Sequence, residues 1–200
     1  MRETIKRYLA GLLAFLTLLA LTGCGTQSGE EGNGDTLEFE YSQEEYGQLY
    51  AEYLESAVYS WVTASSWSSA RELRPEVFTA FYYHRVLAPE NPEGWEDALS
   101  VEQETLEAAV QEYFEVEPEH IREAPEYDAA AESYVFEYGT GSSEAVITKA
   151  VQDGELLLIS FAYPSRADET VFIRSGTITI QTEGGHFKYI GCESNELPSE

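Results

Sequence analysis

The sequence predicts an α+β fold, with three N-terminal amphipathic helices packed on a C-terminal antiparallel meander of about five strands. Apolar residues recur every three or four positions up to about residue 122, which is the period of a helix. From Ser133 onward they recur at every second position, and glycine- and aspartate-containing turns separate the runs at short intervals. Helices followed by a meander form an α+β domain when they cover one face of the sheet.

The first predicted helix begins at Ser42. Ser42 and Glu45 have the spacing of a capping box, in which each side chain accepts a hydrogen bond from the other residue's backbone N–H. The serine-rich stretch 65–69 ends the helical pattern. The predicted apolar face of this helix contains Tyr46, Leu49, Tyr50, Tyr53, Leu54, Ala57, Val58, Trp61 and Val62.

Two further helices and one short turn are predicted before the strands. Pro75 suits the first position of a helix that runs to Leu87, because that position needs no N–H donor. Ser100 and Gln103 repeat the capping-box spacing and predict a third helix that extends to Phe114. One more turn is expected over residues 118–122. The loop predicted between the second and third helices is marked by Pro89, Pro92 and Gly94.

The strand half predicts five consecutive antiparallel strands, at 133–138, 145–151, 155–163, 170–182 and 186–192. Asp153-Gly154 is typical of a two-residue hairpin turn, which requires a positive φ. The run Leu156–Ile159 predicts a strand buried on both faces, and Gly176 predicts a bulge or bend. The order of elements is similar to cystatin-like and NTF2-like domains, which wrap a curved sheet around a helix; this is a fold-level analogy that no motif supports.

The N-terminus has the pattern of a signal peptide. Arg2, Lys6 and Arg7 precede an uncharged apolar run of 14 residues, from Tyr8 to Leu21. A helix that spans a bilayer needs about 18 or more apolar residues, so the run is short for a permanent span. Its length suits the apolar region of a signal peptide.

The residues that end this run, Leu21-Thr22-Gly23-Cys24, resemble the lipobox of bacterial lipoproteins. The resemblance covers only the first 24 residues. It implies cleavage before Cys24 and attachment of a diacylglyceryl group, carrying fatty acids such as palmitate, to the Cys24 sulfur. Two acyl chains suffice for stable membrane anchoring, so the protein would sit on the extracytoplasmic face of the cell membrane. The alternatives are an ordinary secretory signal with a chance cysteine and a single transmembrane anchor.

These observations predict three regions: a lipoprotein signal peptide at 1–23, a flexible tether at 24–37 and one α+β domain at 38–200. The stretch 25–36 contains four glycines and no large apolar residue, as is typical of a tether. Glu31, Asn33 and Asp35 have the spacing of three EF-hand ligands, but Thr36 stands where that loop needs glycine. No metal site is therefore predicted there.

The charge of the chain is strongly acidic. It has 37 Asp and Glu against 11 Lys and Arg, for a net charge of -26. The first 23 residues hold three basic residues and one acidic residue, so a chain that begins at Cys24 has eight basic and 36 acidic residues and a net charge of -28. This balance excludes a nucleic-acid partner, because such binding depends on neutralising phosphates with Lys and Arg.

No catalytic, cofactor-binding or metal-binding residue is predicted. The sequence contains none of the common nucleophile, zinc, phosphate or dinucleotide motifs, and its histidines lie far apart at 84, 120 and 186. The segment Tyr82-Tyr83-His84-Arg85 is the densest group of functional side chains. Cys192 is the only thiol left if Cys24 is lipidated, and it is interpreted as a buried small residue; the alternative is a nucleophile paired with His186 or His84.

These observations lead us to expect a non-catalytic module that binds a ligand or partner. The ligand would be cationic, or a neutral glycan recognised by aromatic rings beside carboxylates, or an envelope protein. One alternative is a structural or assembly factor of an envelope complex, which predicts an exposed apolar patch. A less favoured alternative is an envelope hydrolase, which predicts a deep pocket where a histidine meets a carboxylate.

Overall fold

The computed structural model describes residues 41–91, 98–136 and 144–197. The chain divides into two units, Met1–Asp35 and Thr36–Glu200, and every described residue belongs to the second. Several predicted features lie outside the described residues: the signal peptide, Cys24, the tether, and the loop at Pro92 and Gly94. None of the helices in the described part combines the length and apolar character that crossing a membrane requires.

The described part is an α+β domain with four helices and two antiparallel sheets, which confirms the predicted class. Two of the helices contain a π-helical segment, in which backbone hydrogen bonds run from residue i+5 to residue i. Helix α1 comprises Gln43–Leu49, the π-helical Tyr50–Leu54 and Glu55–Tyr59; α2 comprises Pro75–Tyr82, the π-helical Tyr83–Leu87 and Ala88–Glu90; α3 is Gln103–Tyr113, α4 is Pro118–Ile121, and a 3₁₀ turn spans Ala70–Glu72.

Helix α1 begins as predicted and ends differently. The Ser42 backbone N–H donates to Glu45 Oε2 at 2.7 Å and the Glu45 N–H donates to Ser42 Oγ at 3.3 Å, so the capping box is present. Leu54 and Val62 of the predicted apolar face are fully buried. The prediction for Trp61 is wrong: its side chain is 48% exposed, because the chain leaves the helix there with a positive φ of 63°.

Helix α2 begins at Pro75 as predicted but continues past the predicted end at Leu87 to Glu90. The π-helical segment explains why Pro89 does not stop it. The Ala88 N–H donates to the Tyr83 carbonyl, and regular helix then restarts, which places Pro89 in a first turn. A proline is tolerated in a first turn because its missing N–H would have no intrahelical partner there.

The second predicted capping box is wrong. Ser100 lies in a strand, Leu99–Glu102, and pairs with Val135; α3 begins directly after that strand without a side-chain cap. The Gln103 side chain instead accepts a hydrogen bond from the Tyr127 hydroxyl at 2.5 Å. The short turn predicted near residue 118 is confirmed as α4.

The strands form two sheets instead of one. In the first, Leu99–Glu102 (β1) and Tyr127–Asp128 (β2) both pair with Ser133–Phe136 (β3), in the order β1–β3–β2. The predicted strand at 133–138 therefore does not begin the meander, because β1 and β2 provide its partners. The second sheet is a four-stranded meander formed in chain order by Val146–Asp153 (β4), Leu156–Pro164 (β5), Phe172–Glu183 (β6) and His186–Glu196 (β7).

The meander covers the helices with one face only. Leu157 and Ile159 of β5 are buried, whereas Leu156 is 37% exposed and Leu158 is partly exposed, so the prediction that this strand is buried on both faces is wrong. Alternate residues of a strand point to opposite faces, and only the inner face meets the helices. The predicted hairpin turn is present, with Gly154 at a φ of 60°.

Gly176 of β6 does not form a bulge. The register shifts of β6 lie elsewhere, between Tyr163 and Pro164 on the β5 side and between Thr179 and Ile180 on the β7 side. Gly176 permits a close approach instead: a Cβ at this position would lie 2.2 Å from the Glu193 carbonyl oxygen and 2.6 Å from the Phe161 ring. Any larger residue would therefore push on both neighbouring strands.

The core lies between the helices and the inner face of the meander. An aromatic cluster, comprising Phe78, Phe81, Phe114, Phe187 and Tyr189, forms its centre through edge-to-face and stacked contacts. Outside this cluster, the segment after α1 pairs with the free edge of β7, where the Trp67 and Cys192 backbones exchange hydrogen bonds of 2.8 and 2.9 Å.

Candidate functional site

The three histidines lie on three different elements. His84 is in the π-helical segment of α2, where burial lowers the pKa of its imidazole. His120 of α4 contacts the Leu73 carbonyl at 2.9 Å and Glu123 at 3.3 Å, and its ring packs edge-on against Phe78. His186 is exposed at the start of β7. The His120 ring packs on the core while the Glu123 side chain is 68% exposed, and neither residue lines either of the two grooves described below.

The Cys192 thiol is buried, with 3% of the residue exposed. Burial, together with the nearby Glu193 carboxylate, raises the pKa of this thiol to about 12. A thiol with that pKa stays protonated at neutral pH, and the thiolate is the nucleophilic form. Cys192 therefore packs as a small apolar side chain, and the alternative of a nucleophile paired with a histidine gains no support.

The segment Tyr82-Tyr83-His84-Arg85 divides between the core and the surface. Tyr82 is buried and stacks on Phe136. Arg85 extends to α1, where its Nη1 donates to the Glu52 carbonyl at 3.0 Å and its Nη2 lies 3.3 Å from Glu52 Oε1. These contacts join α2 to α1.

The two π-helical segments meet at Arg85. Two backbone carbonyl groups of the π-helical segment of α1 accept hydrogen bonds from side chains. The Glu52 carbonyl accepts from the Arg85 guanidinium, and the Tyr53 carbonyl accepts from the Tyr189 hydroxyl at 2.8 Å. The guanidinium stands over the Tyr113 ring, 5.3 Å from its centre. Burial opposes the charge of Arg85, but the Tyr113 hydroxyl and the Glu52 carboxylate outweigh it and raise the pKa. This cluster fixes both helices on β7 and is structural.

A second buried polar cluster surrounds Glu107, which is 6% exposed. The Glu107 carboxylate accepts two hydrogen bonds from Arg122, at 2.7 and 2.8 Å, and one from the Tyr134 hydroxyl at 3.1 Å. The bonds to Glu107 raise the pKa of the Arg122 guanidinium, and burial beside Glu107 raises that of Tyr134. The sequence analysis missed this pair because its residues are 15 positions apart in an acidic chain. With both oxygens engaged, Glu107 ties α3 to β3.

Three partly exposed rings, Tyr59, Tyr83 and His84, form a surface that we call the aromatic surface. The Tyr59 and His84 rings are 5.2 Å apart at 32°, and the Tyr83 and His84 rings are 5.0 Å apart at 88°. Burial, and then the negative charges of the exposed Glu55 and Glu144 carboxylates, raise the pKa of the Tyr59 hydroxyl. This surface brings aromatic rings and carboxylates together, as the sequence analysis expected of a ligand site.

Five exposed apolar side chains gather where β4 begins, β5 ends, β6 begins and β7 ends. We call them the apolar end; they are Val146, Val171, Phe172, Ile173 and Leu197, with exposed fractions of 43, 46, 39, 50 and 36%. Strand register brings them together. On β5, Pro164 pairs with Phe172 of β6, and Ala162, two residues before Pro164, pairs with Val146 of β4. The Leu197 N–H donates to the Ile173 carbonyl at 2.9 Å.

The apolar end holds five of the eight large apolar side chains that are exposed in the described part of the chain. The other three lie apart from one another: Trp61 follows the end of α1, Leu156 begins β5 after the hairpin turn, and Ile190 lies within β7. Four exposed carboxylates border the apolar end in the chain: Glu144, Asp168, Glu169 and Glu196. One of them, Glu196, pairs with Arg174 at 3.5 Å. The sequence analysis missed this patch because its residues follow the ordinary pattern of a strand.

Two shallow grooves lie beside the meander. One of about 460 Å³ is lined by the segment around Trp67 and by β7 near Gly191, and one of about 280 Å³ passes over Gly176. Glu193 borders both grooves, and most of the other polar side chains that line them are hydroxyls of Ser and Thr. No group of three His, Cys, Asp or Glu side chains placed to hold a metal ion was found among the described residues.

Comparison with protein-family models, with curated proteins and with solved structures found no match. The function of the chain is therefore argued from its own geometry and chemistry.

Proposed function

We propose that this chain is a lipoprotein anchored on the extracytoplasmic face of the cell membrane, and that its folded domain is a non-catalytic module that binds another envelope protein. The N-terminal basic residues, the apolar run and Leu21-Thr22-Gly23-Cys24 support the lipid anchor. The concentration of exposed large apolar side chains at the apolar end is the observation that carries the binding function.

Exposed apolar groups in one patch favour association, because burying one large apolar side chain contributes about 1.5–3 kcal/mol. Such patches on a folded domain mark interaction sites. The backbone beneath this patch is already paired: Ser165 donates to the Val171 carbonyl at 2.7 Å and Leu197 donates to that of Ile173. At Val171 and Ile173 a partner would therefore dock on the side chains, because these carbonyl groups are already paired.

The charge of the domain selects the kind of partner. A second copy of the chain, or an anionic lipid surface, would bring like charges together, since a chain that begins at Cys24 carries a net charge of -28. Near the patch, three exposed carboxylates that are not paired with Arg174, those of Glu144, Asp168 and Glu169, outnumber the exposed guanidinium of Arg166, so a like-charged surface is repelled there too. A protein surface that is apolar at its centre and bordered by lysines or arginines complements both properties.

The chemistry of the side chains supports a non-catalytic role. The Cys192 thiol is buried and protonated, and the His120 ring is engaged by a backbone carbonyl and packed on the core. The same apolar end also favours the alternative of an assembly factor held permanently in an envelope complex. The two differ in lifetime: a binding module exchanges its partner, and an assembly factor co-purifies with it in fixed ratio.

The lipid anchor is tested by Cys24→Ala in the native host. We expect the variant to leave the membrane fraction and to lose the mass of a diacylglyceryl group, while the control Cys192→Ala keeps both. If Cys24→Ala remains in the membrane with an unchanged mass difference, the lipoprotein assignment is wrong.

The docking function is tested with three synthetic helical peptides of equal length: a leucine face with lysine flanks, the same face with glutamate flanks, and a serine face with lysine flanks. We expect only the first to bind strongly. Phe172→Ser and Ile173→Ser should weaken it about tenfold, which corresponds to about 1.4 kcal/mol. Leu156→Ser and Ile190→Ser are matched controls, because these residues are 37 and 38% exposed on the same sheet.

Three results would overturn the proposal. The first is an equal loss of binding in the control variants, and the second is equal binding of the serine-faced peptide. The third is self-association or vesicle binding that Phe172→Ser abolishes, which would identify a second copy or a lipid surface as the occupant.

A further inference from the structure

The aromatic surface lies where helices α1 and α2 meet. Tyr59 is the last residue of α1, and His84 lies in the π-helical segment of α2, so the two helices bring these rings together. The Tyr59 ring is tilted by 32° from the His84 ring, and the Tyr83 ring is edge-on to the His84 ring. All three residues remain partly exposed, so a ligand can reach part of this cluster.

The charges around these rings favour a positively charged ligand. Burial first, and then the Glu55 and Glu144 carboxylates, raise the pKa of Tyr59, so its phenol is neutral at physiological pH. Burial lowers the pKa of His84, so its imidazole is neutral as well. A neutral ring with carboxylates beside it attracts cations through its π face and through the carboxylate charge.

The nearest basic side chain in the sequence does not compete for this surface. Arg85 follows His84 directly, but its guanidinium is bound to Glu52 and Tyr113 and stands over the Tyr113 ring. The Arg85 guanidinium therefore stabilises the contact between α1, α2 and α3.

We propose that the aromatic surface is a binding site for an organic cation, an ammonium or guanidinium group that stacks on Tyr59 and is held by Glu55 and Glu144. The group could belong to a lysine or arginine of a peptide or to a free polyamine, since the chemistry recognised is the same. The three rings lie outside the apolar end, whereas Glu144 borders both surfaces. Tyr59→Leu therefore distinguishes a failure of this proposal from a failure of the docking function.

The test titrates the full lipidated chain, purified in detergent at fixed ionic strength, with N-acetyl-lysine methylamide and with spermidine, and follows the backbone and His84 resonances by NMR. The neutral N-acetyl-norleucine methylamide has nearly the same shape without the charge. A chitin oligosaccharide tests recognition of a neutral glycan. We expect the lysine and spermidine probes to shift resonances of Tyr59 and His84, and the other two to leave them unchanged.

Variants distinguish a specific binding site from general electrostatic attraction of a cation to an acidic protein. Tyr59→Leu should weaken the lysine probe about threefold, within the range of an exposed cation–π contact, and Tyr59→Phe should retain binding because the ring remains. Glu144→Gln should weaken it about twofold or more. The matched controls are Tyr41→Leu, another partly exposed tyrosine, and Glu104→Gln, an exposed glutamate on α3.

The proposal is overturned if the norleucine probe binds as well as the lysine probe, if Glu104→Gln weakens binding as much as Glu144→Gln, or if only the oligosaccharide binds. Glu144 is exposed, so its variant should fold normally and keeps the test valid even if Tyr59→Leu fails to fold. General attraction alone favours the more highly charged probe. A preference for spermidine that Tyr59→Leu removes and Glu104→Gln keeps would therefore identify a free polyamine as the source of the cation.

Discussion

The aromatic cluster and the apolar end are built from the same kinds of residue and have opposite surroundings. Phe114 in the cluster is 1% exposed, and Phe172 at the apolar end is 39% exposed. The contrast holds within one strand: Ile178 and Ile180 of β6 are fully buried, while Ile173 is 50% exposed.

The difference follows from where the helices lie. The rings of α2 and α3 pack against Tyr189 of β7, so the stretch of sheet beneath them is covered. The apolar side chains at the start of β6 are 39–50% exposed, so no helix in the described part of the chain covers them. The covered region therefore sets stability, and the uncovered region is available for a partner.

The largest expected effect is the difference in stability between variants of the aromatic cluster and variants of the apolar end. Phe114→Ala should lower the free energy of unfolding by about 3–5 kcal/mol, because it removes a buried ring and leaves a cavity. Phe172→Ala should lower it by only about 1–2 kcal/mol, because this ring is partly exposed and little cavity is left behind. Urea denaturation followed by circular dichroism measures both, and equal losses would contradict the contrast.

Substitution of two glycines compares the stability of a covered and an uncovered backbone position. Gly176→Ala should destabilise the domain by about 1–3 kcal/mol, because the added methyl group meets the Glu193 carbonyl and the Phe161 ring. Gly47→Ala on the exposed side of α1 meets no atom within 4 Å and should stabilise it by about 0.5–1 kcal/mol. Thermal denaturation of both variants checks the signs; a neutral Gly176→Ala would show that β6 and β7 can separate there.

The pH dependence of stability reports on the covered region. Burial raises the pKa of Cys192 to about 12, so above the ordinary pKa of 9.0 the unfolded chain loses this proton before the folded chain does. Stability should therefore fall as the pH rises from 9 towards 12, by about 1.4 kcal/mol per pH unit for one proton. Cys192→Ala should flatten this slope by that amount in urea denaturation at pH 9, 10 and 11. Parallel slopes in the two proteins would contradict the burial of the thiol.

The smallest effect is expected at Trp61, in the loop after α1. This bulky residue has a positive φ, a conformation that is strained for all residues except glycine, and its side chain is half exposed. Trp61→Gly should therefore leave stability unchanged or raise it by up to about 1 kcal/mol. Trp67→Ala is the contrast, since Trp67 is 4% exposed and its loss should cost about 3–5 kcal/mol. A large loss for Trp61→Gly would show that this ring has a partner.

Local signals in the sequence predicted much of the fold. Ser42 with Glu45, Pro75 and Gly154 act through contacts within a few residues, and each has its predicted role. The two sheets could not be predicted this way. β1 has only four residues, and its pairing with Val135 joins positions that are 35 residues apart.

The candidate sites were predictable in part. The pattern around Tyr83 and His84 indicated functional side chains, but Tyr59 joins them only because two helices cross. Ile173 at the apolar end could not be distinguished from Ile178 by sequence period, since exposure depends on what covers a strand and not on the strand itself. The lipid at Cys24 and the tether remain predictions.

The most direct test of the central claim is photo-crosslinking in the native host, with a photoreactive amino acid placed at Ile173 or, as control, at Ile190. Both positions are exposed on the meander, but only Ile173 belongs to the apolar end. We expect a discrete crosslinked envelope protein with the probe at Ile173, absent with the probe at Ile190 and lost when Phe172→Ser is added. Equal crosslinking from both positions, or none from either, would contradict the proposal that the apolar end is a docking surface.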